Sequence, residues 1–236
     1  MKEKSKIQQE INTKIKEQRV TKNNGKQFEV DFKASFEPHV WTYRPTDSGG
    51  GQNARFTIES ICDLMAFDTR TRNFVLMELK STLGTSVSFK SYEFVQNYFK
   101  EKENLENWLA GMNPAEKRKI AEQIKERKRA VRMLYKETNS AMIKYHQIRD
   151  LKEANEKFGI ESYIVFKFFR TTRTFALPIS TFEEFWKSTE KKSINENDLL
   201  EFVKEGKCIA IPQGYIRKTK SSVYDVSKLT LSKEEE

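Results

Sequence analysis

Phe28, Phe32 and Phe36 recur every four residues and place one apolar stripe on a helix that Asn24 is suited to cap. Beyond them the period shortens to that of a strand. Val40-Trp41-Thr42-Tyr43 reads as a strand, Pro45 to Asn53 as a flexible loop tip, and Arg55 to Ile58 as a returning strand. Two apolar runs follow, Ile61 to Phe67 and Phe74 to Met77, and the polar turn Asp68 to Asn73 between them predicts a hairpin. From about 91 to 140 the residues are charged and helix-favouring, with a break near Gly111-Met112-Asn113-Pro114. That pattern predicts two helices, the second opening at Asn113-Pro114. A further helix is predicted over 141–157, with Tyr145, Ile148, Leu151 and Phe158 on one side and Gly159 as its stop. Tyr163 to Phe166 and Phe175 to Leu177 form a hairpin about Arg170-Thr171-Thr172-Arg173. Ser180-Thr181-Phe182-Glu183 has capping-box spacing and opens a short helix with Phe185 and Trp186. A helix near 197–205 and a strand at 207–211 complete the pattern. Strands alternating with helices predict an α/β layer built on a mixed sheet.

The apolar runs carry chemistry. Glu78 and Lys80 are two apart at the end of the second run, so a strand projects both to one face. Asp63 lies inside the first run, where a carboxylate is costly unless something pairs with it. The hairpin brings Asp63 and Glu78 together, and two carboxylates with a lysine make a site for a hard divalent cation and a phosphate. Glu-x-Lys is common in a chain that is 33% charged. Its place at the end of a hydrophobic strand, after an Asp-bearing one, is therefore what gives it weight. Gly49-Gly50-Gly51 is not followed by the Gly-Lys-Ser/Thr ending of a phosphate-cradling loop, and it reads as a hairpin tip.

Composition narrows the class. The 236 residues are 37% hydrophobic, with 17 Phe and 8 Tyr, enough for one substantial core. No apolar stretch approaches the roughly 20 residues that span a bilayer, and the N-terminal residues lack a secretory apolar segment. Cys62 and Cys208 both sit in apolar runs and read as small buried hydrophobes in a reducing cytoplasm. The formal net charge of +9 favours a polyanionic partner, nucleic acid or anionic membrane. Residues 2–26 carry eight Lys/Arg against three acids, and 117–136 carry nine against two. Both excesses flank the candidate site, so phosphate contact is favoured over a merely solvated face.

Taken in order, several short motifs resemble the RecU-like Holliday junction resolvases of Gram-positive bacteria and their phages, within the PD-(D/E)xK nuclease superfamily. They are Gly25-Lys26-Gln27-Phe28-Glu29, Cys62-Asp63-Leu64, Glu78-Leu79-Lys80-Ser81-Thr82, Thr85-Ser86, His146-Gln147-x-x-x-Leu151 and the strand pair ending at Leu177-Pro178. Lys191-Lys192-Ser193-Ile194 and Tyr224-Asp225-Val226 add to them. The resemblance covers about 24–90 and 140–226. Ile61-Cys62 stands where the superfamily's nominal proline would be, and about fifty residues between Lys90 and Ser140 are an insertion relative to the family's short form.

The resemblance implies a restriction-endonuclease-like mixed sheet flanked by helices, with a protruding hairpin stalk over 39–60 and a helical hairpin inserted at 91–140. It implies a nuclease domain over 24–226 between a basic arm (1–23) and an unstructured tail (227–236). It implies Mg²⁺ or Mn²⁺ held by Asp63, Glu78 and the Leu79 carbonyl, and hard cations of this kind take oxygen ligands. Lys80 would orient water or stabilise phosphorane charge, Glu29 would hold a water of the metal's shell, and Gln147 would orient the nucleophilic water or Lys80. Arg44, Arg55, Lys90, Lys117, Arg118, Lys119, Lys125, Arg127, Lys128, Arg129 and Arg132 are candidates for DNA contact. The implied partners are branched DNA and a second copy of the chain, with no membrane. Two rivals stand beside this: a related nuclease acting on flaps, ends or duplex, and a non-catalytic junction-binding protein. His39 has no partner legible in sequence, and Asp47, Asp68 and Asp150 read as turn or helix-surface residues.

Overall fold

The structure, a computed structural model, describes residues 24–45 and 60–230. Helix α1 covers 24–34, and strands β1 (Val40–Tyr43), β2 (Leu64–Asp68) and β3 (Phe74–Thr82) follow. After β4 (Ser86–Ser88) come α2 (Tyr92–Ala110), α3 (Pro114–Lys119), α4 (Ala121–Thr138) and α5 (Tyr145–Phe158). The remainder is β5 (Glu161–Phe168), β6 (Arg173–Pro178), α6 (Ile179–Ser188), β7 (Ser193–Asn195), α7 (Glu196–Lys204), β8 (Ile209–Ile211), β9 (Gln213–Ile216), β10 (Ser221–Tyr224) and α8 (Ser227–Thr230).

The main sheet has six strands in the order β1-β2-β3-β5-β6-β8. Only β3 and β5 pair in parallel; the other neighbours are antiparallel, so the sheet is mixed as expected. A parallel pair needs a long crossover, and here it runs through the helices α2 to α5. β5 is buried along almost its whole length, as befits a strand covered on both faces.

Two apolar layers cover the sheet. On one face the aromatic stripe of α1 packs: Phe28 and Phe32 are buried and tilt against Tyr224. Asp31 accepts from the Ser222 N–H, and the Ser35 hydroxyl accepts from the Tyr224 N–H, tying α1 to the β9–β10 hairpin. On the other face α5 and α6 bury Ile148, Leu151, Phe182 and Trp186 against Ile164, Phe166 and Leu177. The Trp186 indole donates to the Lys90 carbonyl at 2.7 Å, anchoring the chain as it enters α2.

The insertion is a helical hairpin, α2 packed against α4, but with three helices in place of the two expected. Asn113 and Glu116 form a capping box at α3, with Pro114 in its first turn. Ile120 leaves the helical region (φ −116°, ψ 27°) and separates α3 from α4. Only Ile124, Val131, Leu134 and Thr138 of α4 are shielded, one stripe, and the remaining residues face solvent. Arg127 lies over the Trp108 ring.

Other expectations shift by a few residues. β2 begins at Leu64, so Asp63 precedes the strand. α5 begins at Tyr145 because the preceding residues are held extended, Ile143 bridging to Phe89. It ends at Gly159, whose φ of 65° is the left-handed cap that glycine adopts without strain. The capping box at Ser180 does not form. Pro178, with φ already near −55°, is the N-cap, and Glu183 instead bridges Lys152 and Lys187. The tail boundary at 227 also moves: α8 packs on β2 and β3 with Leu229 fully buried, so the folded unit reaches at least 230. The basic arm, most of the stalk (46–59) and the last six residues lie outside the described residues. No helix among the described residues is long and apolar enough to cross a membrane.

Candidate active site

Cα pairing runs from Leu64–Met77 back along the β2–β3 hairpin. The Asp63 N–H continues that ladder by donating to the Met77 carbonyl at 3.1 Å. Its side chain then crosses to β3, where Oδ2 accepts from the Leu79 N–H at 2.9 Å. That contact sets Asp63 beside Glu78. Glu78 itself is 1% exposed. Its Oε1 accepts from Lys80 Nζ at 2.6 Å and from Gln147 Nε2 at 2.5 Å. Gln147 comes from the first turn of α5, sixty-nine residues further on, and its own Oε1 accepts from the Lys144 N–H. One end of the amide therefore caps the helix while the other end holds the carboxylate.

These groups line a cavity of about 430 Å³ together with Glu29, Ser60, Cys62, Leu79, Lys144 and His146. Its electrostatics follow from burial. Desolvation raises Glu78 to about 8, with the neighbouring Asp63 adding to the rise and Lys80 opposing it. Desolvation also raises Glu29; Arg44 opposes this, Asp63 adds, and Lys80 opposes. Arg44, the residue after β1, holds Glu29 in an ion pair. A buried carboxylate that resists ionisation beside a second carboxylate favours an arriving cation. The oxygens of Asp63 and Glu78 are the hard donors a Mg²⁺-like ion takes. Among the described residues no group of three or more His, Cys, Asp or Glu is arranged to hold a metal ion by itself. Asp63 and Glu78 bring two carboxylates to the cavity, a donor chemistry that suits such an ion.

The sequence singled out Glu29, Asp63, Glu78, Leu79, Lys80 and Gln147, and the structure gathers all six around this cavity. It did not single out Ser60, Lys144 or His146 as lining groups. Lys144 stands one helical turn before Gln147, a spacing that points to it, whereas His146 is Gln147's neighbour in the chain and helix phase does not put it on the same face. His146 is buried; its Nδ1 contacts Asn139 Oδ1 at 2.9 Å, and its backbone N–H donates to the same oxygen at 3.2 Å. Since that oxygen cannot donate, Nδ1 carries the proton. Asn139 caps the end of α4, so the insertion is tied directly to the first turn of α5.

The basic candidates are dispersed. Arg44 is engaged with Glu29, Lys90 pairs with Glu137 and Lys125 pairs with Glu122. Arg118, Lys119, Arg127, Lys128, Arg129 and Arg132 are exposed on α3 and α4, with Lys117 half-buried, and Arg55 lies outside the described residues. His39 has partners after all: Glu37 at 3.1 Å, Asp68 at 3.7 Å and Arg70 at 2.5 Å. Asp68, read as a turn residue, is instead the buried last residue of β2, and it accepts from the Arg70 and Thr71 N–H groups of the turn that follows.

Residues 134–217 match the family described as RecU, recombination protein U. The RecU match runs from the end of α4 through β9 and includes His146 and Gln147; it leaves out Asp63, Glu78 and Lys80. No curated protein matches the chain significantly. Among solved structures, the Holliday junction resolvase Hjc of Archaeoglobus fulgidus aligns at 14% identity over 68% of this chain and 78% of its own, with a TM-score of 0.31. A superposition that loose carries no argument. The RecU resemblance therefore rests on α5 and the strands after it, and the site geometry stands on its own distances.

Proposed function

We propose that the chain is a divalent-metal-dependent endonuclease that resolves four-way DNA junctions. The observation that carries this is the convergence of Lys80 and Gln147, a residue inside the RecU-matched stretch, on one Glu78 oxygen, with Asp63 lining the same cavity. Mg²⁺ or Mn²⁺, when bound, would neutralise charge on the scissile phosphate and lower the pKa of water. Asp63 and Glu78, with the Leu79 carbonyl, would hold it. Lys80 keeps its ammonium on Glu78 and is placed to shift onto a phosphate oxygen as negative charge develops there. The Gln147 amide orients whatever occupies the Glu78 side of the cavity. Glu29, whose carboxyl burial pushes up against the pull of Arg44, would accept a hydrogen bond from water in the same cavity.

A four-way junction offers two symmetric strands, so a two-fold homodimer is the economical assembly. The exposed cations of α3 and α4 supply phosphate contacts that set affinity more than sequence choice. Such activity belongs to bacterial or phage DNA recombination in the cytoplasm. The test is cleavage of labelled four-way junctions with Mg²⁺ and Mn²⁺ by the wild type and by Glu78→Ala. Abolished cutting with retained junction binding supports the reading. Unchanged cutting by Glu78→Ala removes the site assignment, and equal cutting of plain duplex removes the junction specificity.

A further inference from the structure

Lys144 lines the Glu78 cavity and stands at the N-cap of α5. Its backbone is fixed from both sides. The preceding Ile143 N–H donates to the Ser88 carbonyl at 2.9 Å, and the Lys144 N–H donates to Gln147 Oε1 at 3.0 Å. The other end of that amide, Gln147 Nε2, donates to Glu78 Oε1, which also accepts from Lys80 Nζ. One linkage therefore runs from Lys80 through Glu78 and Gln147 to Lys144. It keeps the Lys144 backbone within about 8 Å of the Glu78 carboxylate.

Lys80 and Lys144 differ in what holds them. Lys80 is paired with Glu78 at 2.6 Å. Lys144 is exposed and, among the described residues, its ammonium has no carboxylate within ion-pairing distance. Lysine is also ill suited to its position in the helix. An N-cap usually contributes a side-chain oxygen, and Lys144 has none to offer, so α5 lacks that hydrogen bond. A helix N-terminus carries partial positive charge, and α5 has no acid in its first turn to offset the added ammonium. A lysine elsewhere on the surface would be solvated decoration. An unpaired charge kept where the helix disfavours it, on a cavity wall, marks function instead. The carboxylates of the cavity have other partners: Glu29 is held by Arg44, Glu78 by Lys80, and Asp63 by the Leu79 N–H. The partner Lys144 fits is therefore an anion brought in with the substrate. A compact ammonium on a flexible stem binds phosphate as a point charge. Lys80 is placed for the scissile phosphate, so the linkage through Gln147 gives Lys144 the neighbouring one.

We propose that Lys144 holds the phosphate adjoining the scissile one and so registers the cut strand against Glu78. This rests on the junction-nuclease reading and adds a substrate-binding residue to it. The test combines Lys144→Met, Lys144→Arg and Lys144→Ser with four-way junctions carrying one neutral methylphosphonate beside the scissile position, on one side and then the other. On unmodified junctions with metal chelated, Lys144→Met should bind about tenfold more weakly, and Lys144→Arg should recover most of that loss. At saturating DNA with metal present, the single-turnover rate of Lys144→Met should stay within about threefold of wild type. On one of the two sides the methylphosphonate should cost the wild type a similar factor and Lys144→Met nothing further, because the charge pair is already gone. Lys144→Ser should raise the thermal unfolding midpoint while weakening binding, which separates the ammonium's role from the helix's. Unchanged affinity in Lys144→Met, no recovery in Lys144→Arg, or equal methylphosphonate losses in wild type and Lys144→Met would each overturn the proposal. So would a lower midpoint in Lys144→Ser, since the lysine would then be serving the helix. A wild type that cuts junctions while any of these results appears removes the Lys144 contact alone. A wild type that cuts no junction, or cuts plain duplex equally, removes the underlying reading instead.

Discussion

Glu78→Gln keeps the shape of the side chain and abolishes its titration, so it isolates the price of burying this carboxylate. The glutamine carbonyl can still accept from Lys80 Nζ and Gln147 Nε2, the two donors Glu78 uses. In the unfolded chain Glu78 releases its proton near 4.5; in the folded protein burial, with Asp63 alongside, holds it to about 8. Between those values the folded state binds more protons than the unfolded one, so stability falls as pH rises. The slope of that fall is at most about 1.4 kcal/mol per pH unit. Over pH 5 to 8 the wild type should lose on the order of 3 kcal/mol relative to the variant. Urea unfolding with chelator at pH 5, 6, 7 and 8 measures this directly. The variant is expected to be the more stable protein at pH 8, with the gap narrowing steadily toward pH 5. Parallel stability profiles for the two proteins would refute the reasoning, because they would mean that Glu78 ionises freely in the folded state.

Lys167 is 2% exposed, donates to the Thr172 carbonyl at 3.0 Å and to Gln213, and is lowered to about 8 by burial. Its folded form resists the charge, so stability falls as pH drops from 10.5 to about 8 and is level below. Lys167→Met should gain on the order of 1 kcal/mol at pH 7 in thermal unfolding, the gap closing toward pH 10.5; a destabilised variant at pH 7 contradicts this. Asn139→Ala removes the acceptor that holds His146 and should cut single-turnover junction cleavage several-fold with junction affinity unchanged. Asn139→Asp, which keeps an acceptor, should restore the rate; equal defects in both would show that only the helix end matters. Reversing Lys128, Arg129 and Arg132 to glutamate should weaken junction binding at low salt and reduce the slope of log affinity against log salt by up to about three. An unchanged slope would exclude α4 from the DNA interface.

The strand-borne half of the candidate site was legible because its signal is local. A two-residue period puts Glu78 and Lys80 side by side, and a short turn returns the chain to Asp63. Gln147 could be nominated only through a family resemblance, since nothing in a surface-type helix turn says which strand it will meet. Asn139 and His39 were opaque for the same reason: their partners are set by packing between segments that sequence spacing does not relate. The start of α6 was misread because two signals compete there. A proline already in helical φ starts the turn before the serine can cap it. α8 escaped notice because four residues are too few to show a period, although Leu229 is a core residue.

Asp63, Glu78 and Lys80 assemble on one hairpin, but Gln147 reaches them only after the β3-to-β5 crossover closes and the two strands pair in parallel. A nascent chain that has formed the hairpin alone thus lacks the Gln147 contact on Glu78, and the candidate site is complete only with the finished architecture. The same crossover is where α2 to α4 were accommodated. Lengthening an existing loop adds only about 0.6 kcal/mol per doubling of its length. Such a connection is a permissive place for evolution to graft new helical modules without retuning the strands of the candidate site.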